Sequence, residues 1–313
     1  MSNLFLYAVT VLIWGSTFFA IEFQLGTVAP EVSLVYRYGG AALLLFAWCR
    51  ARGLSLSFHL RDHFWFALLG IFLFGINYVL AYRAQIYITS ALTAIAFSTL
   101  LWMNIINSRL FFGVRASRRV LAGALLGITG ILTLFVPQIT ELSLTDSVFT
   151  GSLLALGGAF MASLGNMVSQ GAQRRALPVI QSNAWGMFYG FLVNGMVAIA
   201  GGHAFHFEWS LAYVSSLAYL TIFGSIFAFG AYLTLLGRIG AHRAGYSMVL
   251  FPVLALLLSI LFEGLQIDSS LVAGTALVLA GNVFVLKRGT SASTRPQVVS
   301  QNAGSFGIRS RQV

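Results

Sequence analysis

Charge is what this sequence has least of. Only 8% of its 313 residues are Asp, Glu, Lys or Arg, against about a quarter in an ordinary soluble domain. A soluble chain of this length would lack the polar side chains needed to cover its surface. Disorder through the bulk of the chain needs low hydrophobicity, whereas 58% of the residues are hydrophobic and the mean hydropathy is +0.86. Cysteine occurs once, at Cys49, which excludes an intrachain disulfide and any Cys-based zinc or iron–sulfur site. Lysine also occurs once, at Lys287 after Leu286, so no Gly-Lys-Ser/Thr step exists and the chain is not itself a P-loop pump. A His-Glu-x-x-His motif is missing too, and no motif calls for a cofactor. Strand-like alternation is absent, which argues against an outer-membrane barrel.

What is present is long apolar runs. A helix needs roughly 20 apolar residues to cross a hydrocarbon core about 30 Å thick. Ten such runs occur, at 4–23, 30–49, 65–84, 89–111, 118–136, 149–170, 181–201, 211–236, 244–262 and 269–287. The chain reads as an all-α integral membrane protein with ten transmembrane helices. Met1 to Phe23 lacks the basic n-region of a signal peptide and is expected to stay as the first helix. After Arg288 the composition turns to Ser, Gln and Arg, so 289–313 is expected to be a disordered tail.

The few charges are lopsided, 18 basic against 8 acidic, a net +10. Such a balance can signal nucleic acid or an anionic membrane. Their placement decides. With ten spans, 16 of the 18 basic residues fall on the side that holds both termini, opposed there only by Asp62. The other side holds Glu22, Glu31, Glu141, Asp146, Glu208, Glu263 and Asp268. The positive-inside rule then places both termini in the cytoplasm and removes nucleic acid as a partner.

Residues 88–135 align without gaps to 239–286, an offset of 151. Phe111-Phe112-Gly113 faces Phe262-Glu263-Gly264, Ala122-Gly123 faces Ala273-Gly274, and Gly130 faces Gly281. Pro30 and Pro178 open equivalent helices. The expected organisation is a first five-helix repeat over 1–137 and a second over 148–288. An odd number of spans per half inverts the second against the first, an arrangement frequent in secondary transporters.

Trp14-Gly15-Ser16 in the first span, Arg37-Tyr38 in the second, and Pro252 followed by Phe262-Glu263-Gly264, Gly274 and Gly281 resemble the drug/metabolite transporter superfamily, in its EamA-type branch. The Trp and Tyr content further resembles the bacterial aromatic amino acid exporters of that branch. The first half departs from the pattern, with Leu101 where the second has Pro252 and Phe112 where it has Glu263. The resemblance implies a bacterial inner-membrane exporter of small amphipathic solutes, chiefly aromatic or neutral amino acids. It also implies a central cavity lined by helices 1, 3, 4, 6, 8 and 9. Other metabolites or drugs are the alternative substrates. The other class weighed, a lipid-modifying membrane enzyme, would need a nucleophile, base or metal cluster that the sequence does not display.

Polar and amphipathic side chains deep in a span are the informative ones, because an unsatisfied polar group in hydrocarbon is costly. Trp14, Tyr78, Trp102 and Trp185 lie deep and are assigned to substrate. Asn77, Ser98, Ser163 and Asn166 join them, with helix packing as the competing role for the amides. Tyr82 and Tyr246 lie near span ends, where an interfacial belt also accounts for tyrosine. Phe74, Asn104, Gln170, Tyr189, Ser225, Phe229 and Tyr232 complete the polar and aromatic faces. Arg37 and Arg83 are the basic residues outside the cytoplasmic set. Arg37 is expected to snorkel or to pair with Glu22 or Glu31, so Glu22, Arg37 and Arg83 are assigned to ion pairing or gating. His203, His206 and Glu208 are read as a solvated loop rather than a metal site, and Glu263 as a rim carboxylate. Gly123 and Gly127, a Gly-x-x-x-Gly pair, suit packing within one chain or between two, so monomer and homodimer both stay open.

Overall fold

The computed structural model describes residues 1–134, 146–251, 253–254 and 269–286. Glu141, Pro252, the Phe262-Glu263-Gly264 run and the 289–313 tail lie outside them. The described residues form helices α1 (Asn3–Glu22), α2 (Pro30–Ala51), α3 (Leu60–Tyr87), α4 (Ser90–Ser98, continuing as Leu100–Phe112), α5 (Arg118–Leu134), α6 (Asp146–Arg174), α7 (Val179–Ala200), α8 (Leu211–Ile239) and α9 (Ser269–Leu286). No strand occurs among the described residues. Six of the helices (α1, α2, α3, α4, α6 and α8) are long and apolar enough to cross a membrane. Their outward faces carry exposed Leu12, Leu43, Leu44, Leu153 and Phe227, as lipid contact requires.

Caps, rather than hydropathy, set several boundaries. Asp62 accepts the His59 backbone N–H at 3.3 Å, so α3 starts at Leu60, ahead of the expected 65. Ser2 and Ser210 cap α1 and α8, and Pro30 opens α2 where its missing N–H costs nothing. α4 breaks at Thr99. Ser98 and Thr99 each turn a hydroxyl back onto the carbonyl three residues earlier, Ile95 and Ala96. Such back-bonding competes with the helical ladder and bends it.

Glycines let the backbones meet. Gly281 on α9 faces Gly123 and Gly127 on α5: a Cβ on it would lie 2.7 Å from the Gly123 carbonyl oxygen and 3.0 Å from the Gly127 nitrogen. Gly130 on α5 returns the contact, with a Cβ there falling 2.8 Å from the Gly274 carbonyl oxygen and 2.7 Å from the Val278 nitrogen. The Gly-x-x-x-Gly pair therefore packs within this chain. α2 runs along α7, and α3 crosses α7 so closely that a Cβ on Gly70 would strike Tyr189 and Gly190.

Two stretches adopt π-helical turns, Gly70–Ile76 in α3 and Leu220–Phe227 in α8. Wide turns loosen the usual ladder, and in hydrocarbon the displaced carbonyls need other donors. Asn194 donates to the Phe74 carbonyl at 3.1 Å and Asn77 to the Leu73 carbonyl at 3.2 Å. In α8, the Ser225 hydroxyl donates to the Leu220 carbonyl five residues back.

Between α8 and the next helical segment a single turn, Ala241–Ala244, is clamped by α4 and α6. Asn104 donates to the Ala241 carbonyl, and the Ala241 N–H donates to Gln170. Burial, and then neighbouring Arg243, push the His242 imidazole down to about 4. Its Nδ1 is buried without a hydrogen-bond partner. The unfolded imidazole titrates near 6.5, so between about pH 6.5 and 4 the unfolded chain binds the extra proton and stability is lost as the pH falls. His242→Gln is expected to flatten this part of the profile. Unfolding midpoints of both proteins in detergent, at steps from pH 7.5 to 4.5, check it; parallel curves would refute it.

Candidate functional site

A cavity of about 50 Å³ lies where α1, α3, α4, α6, α8 and residues 248–251 converge. These are the six segments that the resemblance implies. Trp14, Thr17, Phe18 and Ile21 come from α1; Leu73, Asn77, Tyr78 and Ala81 from α3; Phe97 and Leu100 from α4. Ala162 and Asn166 come from α6, Phe229 and Tyr232 from α8, and Met248 and Phe251 follow.

The wall is chiefly aromatic. The Trp14 ring meets Phe229, Tyr232 and Phe251 at centroid distances of 4.7, 5.0 and 5.9 Å. Its N–H is already given to the Gly224 carbonyl at 2.9 Å, so the indole ring, not its donor, is left for the cavity. Phe18 packs edge-on to Phe97 at 5.6 Å, and Tyr78 to Phe229 at 6.1 Å.

Two amides complete the wall, and their orientations are set by their partners. The Asn104 NH₂ donates to the Ala241 carbonyl, so its oxygen accepts from Ser163 at 2.9 Å and from the Asn166 NH₂ at 3.2 Å. The same Asn166 NH₂ group donates to the Tyr232 hydroxyl at 3.0 Å. Asn77 must likewise turn its NH₂ to the Leu73 carbonyl. Both amide oxygens, Asn77 Oδ1 and Asn166 Oδ1, are therefore left buried with no partner among the described residues. A buried acceptor without a donor costs roughly 1–3 kcal/mol.

Arg37 stands behind this wall and corrects the sequence expectation. It is 0% exposed, so it does not snorkel, and it pairs with neither Glu22 nor Glu31. Six residues of helix carry it roughly 9 Å along the axis from Glu31. Its Nε donates to Ser225 at 2.9 Å and its Nη1 to the Tyr82 hydroxyl at 3.1 Å. The guanidinium lies 4.7 Å from the Tyr78 ring centroid and 5.4 Å from that of Tyr38. Nη2 has no partner. Each cation–π contact is worth about 0.5–2 kcal/mol and each charge-assisted hydrogen bond about 1.5–3, against several kcal/mol to desolvate the ion. The ion is held, with one donor arm unused.

Glu31 is instead 1% exposed beneath Arg83, whose Nε reaches Oε1 at 2.5 Å, while His203 Nε2 lies 3.6 Å from Oε2. Glu22 is exposed. His206 bonds the Thr27 carbonyl and Glu208 accepts from Ser210. The three loop residues thus turn to different partners, and no metal-holding cluster of three or more His, Cys, Asp or Glu occurs among the described residues.

Of the residues assigned from sequence, Trp14, Asn77, Tyr78 and Asn166 line the cavity. Tyr82 binds Arg37, and Ser163 orients Asn104 and accepts from Asn107. Ser98 serves the α4 bend. Trp102 packs on the core outside the lining. Trp185 lies in a separate aromatic group with His63 and Phe46, donating to the Leu56 carbonyl. Tyr246 ties its turn to α5 through the Val120 carbonyl. Thr17, Phe18, Phe97, Met248 and Phe251 were not singled out from sequence. Apolar residues and a lone threonine carry no signal there that separates cavity from core.

The family model described as the EamA-like transporter family matches residues 1–136 and 149–287. An uncharacterized transporter, YoaV, of Bacillus subtilis (strain 168) is 25% identical over 287 residues, covering 88% of this chain and 95% of that protein. A probable amino-acid metabolite efflux pump of Salmonella typhimurium (strain LT2) is 28% identical over 305 residues, covering 90% and 94%. A crystal structure superposes with a TM-score of 0.74 at 18% identity, over 91% of this chain and 96% of that one, which speaks for the fold alone. With two matched segments spanning most of its length and a bundle of apolar helices, this multi-pass membrane protein belongs to the EamA-like transporter family.

Proposed function

We propose that the chain is a secondary transporter that exports aromatic or neutral amino acids by alternating access. It is read as ten spans in two inverted five-helix repeats, seated in the inner membrane with both termini cytoplasmic. Separate family matches to each half support two repeats. So does the reciprocal seam, since Gly130, Gly274 and Val278 stand 151 residues from Gly281, Gly123 and Gly127. The π-helical stretches start 150 residues apart, at Gly70 and Leu220. Paired elements related in this way can rock about the cavity they enclose.

The observation that carries the substrate reading is the cavity wall itself: aromatic ring faces with two amide acceptors lacking donors. Ring faces attract an ammonium group and pack on an aromatic side chain. The relative named as an amino-acid metabolite efflux pump supports the same class. No carboxylate lines the cavity among the described residues, which favours a facilitator that follows the substrate gradient over proton coupling.

Uptake of labelled phenylalanine, tryptophan and a small polar amino acid into proteoliposomes tests this, with and without a pH gradient. Flux of the aromatic pair, unchanged by the gradient, is expected; no flux of any amino acid refutes it. Trp14→Ala or Tyr78→Ala should lower aromatic flux about tenfold, the equivalent of the roughly 1–2 kcal/mol such contacts provide. Trp48→Ala, an exposed residue stacked with Arg52, should not.

A further inference from the structure

We propose that the cavity is a two-ended site for a dipolar solute, with Arg37 taking a carboxylate and the Asn77 and Asn166 oxygens taking an ammonium. This inference rests on the transporter reading and assigns the polar ends that the reading leaves open.

At one end is a positive charge without a counter-ion among the described residues. Arg37 is wholly buried, and every partner it has is a neutral hydroxyl or a ring. Among the described residues it forms no ion pair, and Nη2 is unfilled. A buried ionisable group in a transmembrane bundle is ordinarily paired. An arginine fork also matches a carboxylate geometrically, through two parallel N–H donors. The guanidinium adjoins the cavity through Tyr78, which packs on the guanidinium and also lines the wall. Gly224 packs close to Nη2 and to the lining residue Thr17: a Cβ there would sit 3.2 Å from Nη2 and 3.1 Å from Thr17.

At the other end are acceptors without donors. The networks through Leu73 and Asn104 leave Asn77 and Asn166 with only their oxygens to offer. An ammonium carries three donors and no acceptor, so it satisfies both at once. Trp14, Phe97 and Phe229 line the same cavity and suit an apolar side chain. Unused donor, apolar wall and unused acceptors together describe an amino acid with both termini free.

The test uses the purified full-length protein in detergent. Dissociation constants, from ligand-dependent unfolding midpoints, are compared for phenylalanine, tryptophan and leucine, each with its amide and its N-acetyl derivative. The amide lacks the carboxylate and the N-acetyl form lacks the ammonium. The wild type is expected to prefer the free amino acid at least tenfold over both derivatives. Arg37→Gln should bring amino acid and amide within threefold, and Asn77→Leu should do so for amino acid and N-acetyl form. Arg37→Lys, which keeps the charge, should retain part of the preference. Equal binding of amino acid and amide by the wild type, or no binding of any of them, overturns the inference without recourse to a variant that fails to fold. So does a well-folded Arg37→Gln protein that keeps the tenfold preference. Carboxylate-dependent binding without flux in proteoliposomes would leave the inference standing and refute transport. Flux that ignores the carboxylate would do the reverse.

Discussion

Gly281→Leu is expected to unfold the α5–α9 seam and to cost the protein about 3 kcal/mol or more. The hydrogen at this position faces backbone, not side chain. Even a Cβ would press on the Gly123 carbonyl oxygen at 2.7 Å and the Gly127 nitrogen at 3.0 Å, and leucine adds three more carbons. Overpacking costs about 1–3 kcal/mol where side chains can yield. Here only a shift of the whole of α5 relieves the clash, so the loss belongs at the top of that range or above it. Stabilities of roughly 5–15 kcal/mol leave little margin for such a change. In thermal unfolding the midpoint should fall by roughly 6–12 °C, at about 2–4 °C per kcal/mol. Leu279→Val, on an exposed position of the same helix, serves as the control. Equal midpoints for Gly281→Leu and the wild type would show that the seam is not closely packed.

The second large effect is asymmetric. Arg83→Ala strips the nearest cation from a carboxylate that is 1% exposed, leaving Glu31 with His203 alone. Removing one partner of a buried pair costs about 3–5 kcal/mol. Arg83 is 45% exposed, so water reaches that side and the cost is discounted to about 2–3 kcal/mol. Glu31→Gln should be milder, about 1 kcal/mol, because the freed guanidinium can turn to solvent. In a double-mutant cycle the double variant should lose less than the two single losses combined. Denaturation midpoints of the four proteins decide it. A larger loss in Glu31→Gln than in Arg83→Ala would mean that Glu31 is held by something other than this pair.

How much of the site the sequence disclosed varies by residue. Trp14, Asn77, Tyr78 and Asn166 were legible because a polar or amphipathic side chain deep in an apolar run needs a reason to be there. The same rule singles out Trp102 and Trp185, which the fold spends on packing and on the Leu56 carbonyl, while Tyr246, assigned from near a span end, bonds the Val120 carbonyl. Depth along a helix is readable from the chain, but direction around it is not once every face is apolar. Periodicity marks a buried face by contrast with a polar one, and a lipid-exposed face offers no contrast. The π-helical stretches were hidden for a related reason. Gly70–Ile76 and Leu220–Phe227 read as plain apolar helix, and the Asn194 that accommodates the first lies 120 residues away.

Class, then, was settled by composition: scarce charge and long apolar runs leave room only for a membrane bundle, because the bilayer punishes polar groups wherever they fall. Likewise, the family resemblance was readable from short motifs in order. Partnership was decided by tertiary structure. Whether Arg37 met an acid or a ring, which acid Arg83 neutralised, and whether Gly123 and Gly127 faced their own chain or another depended on helix rotation. Rotation is set by backbone contacts at glycines on distant helices, where a few tenths of an ångström separate close packing from a clash.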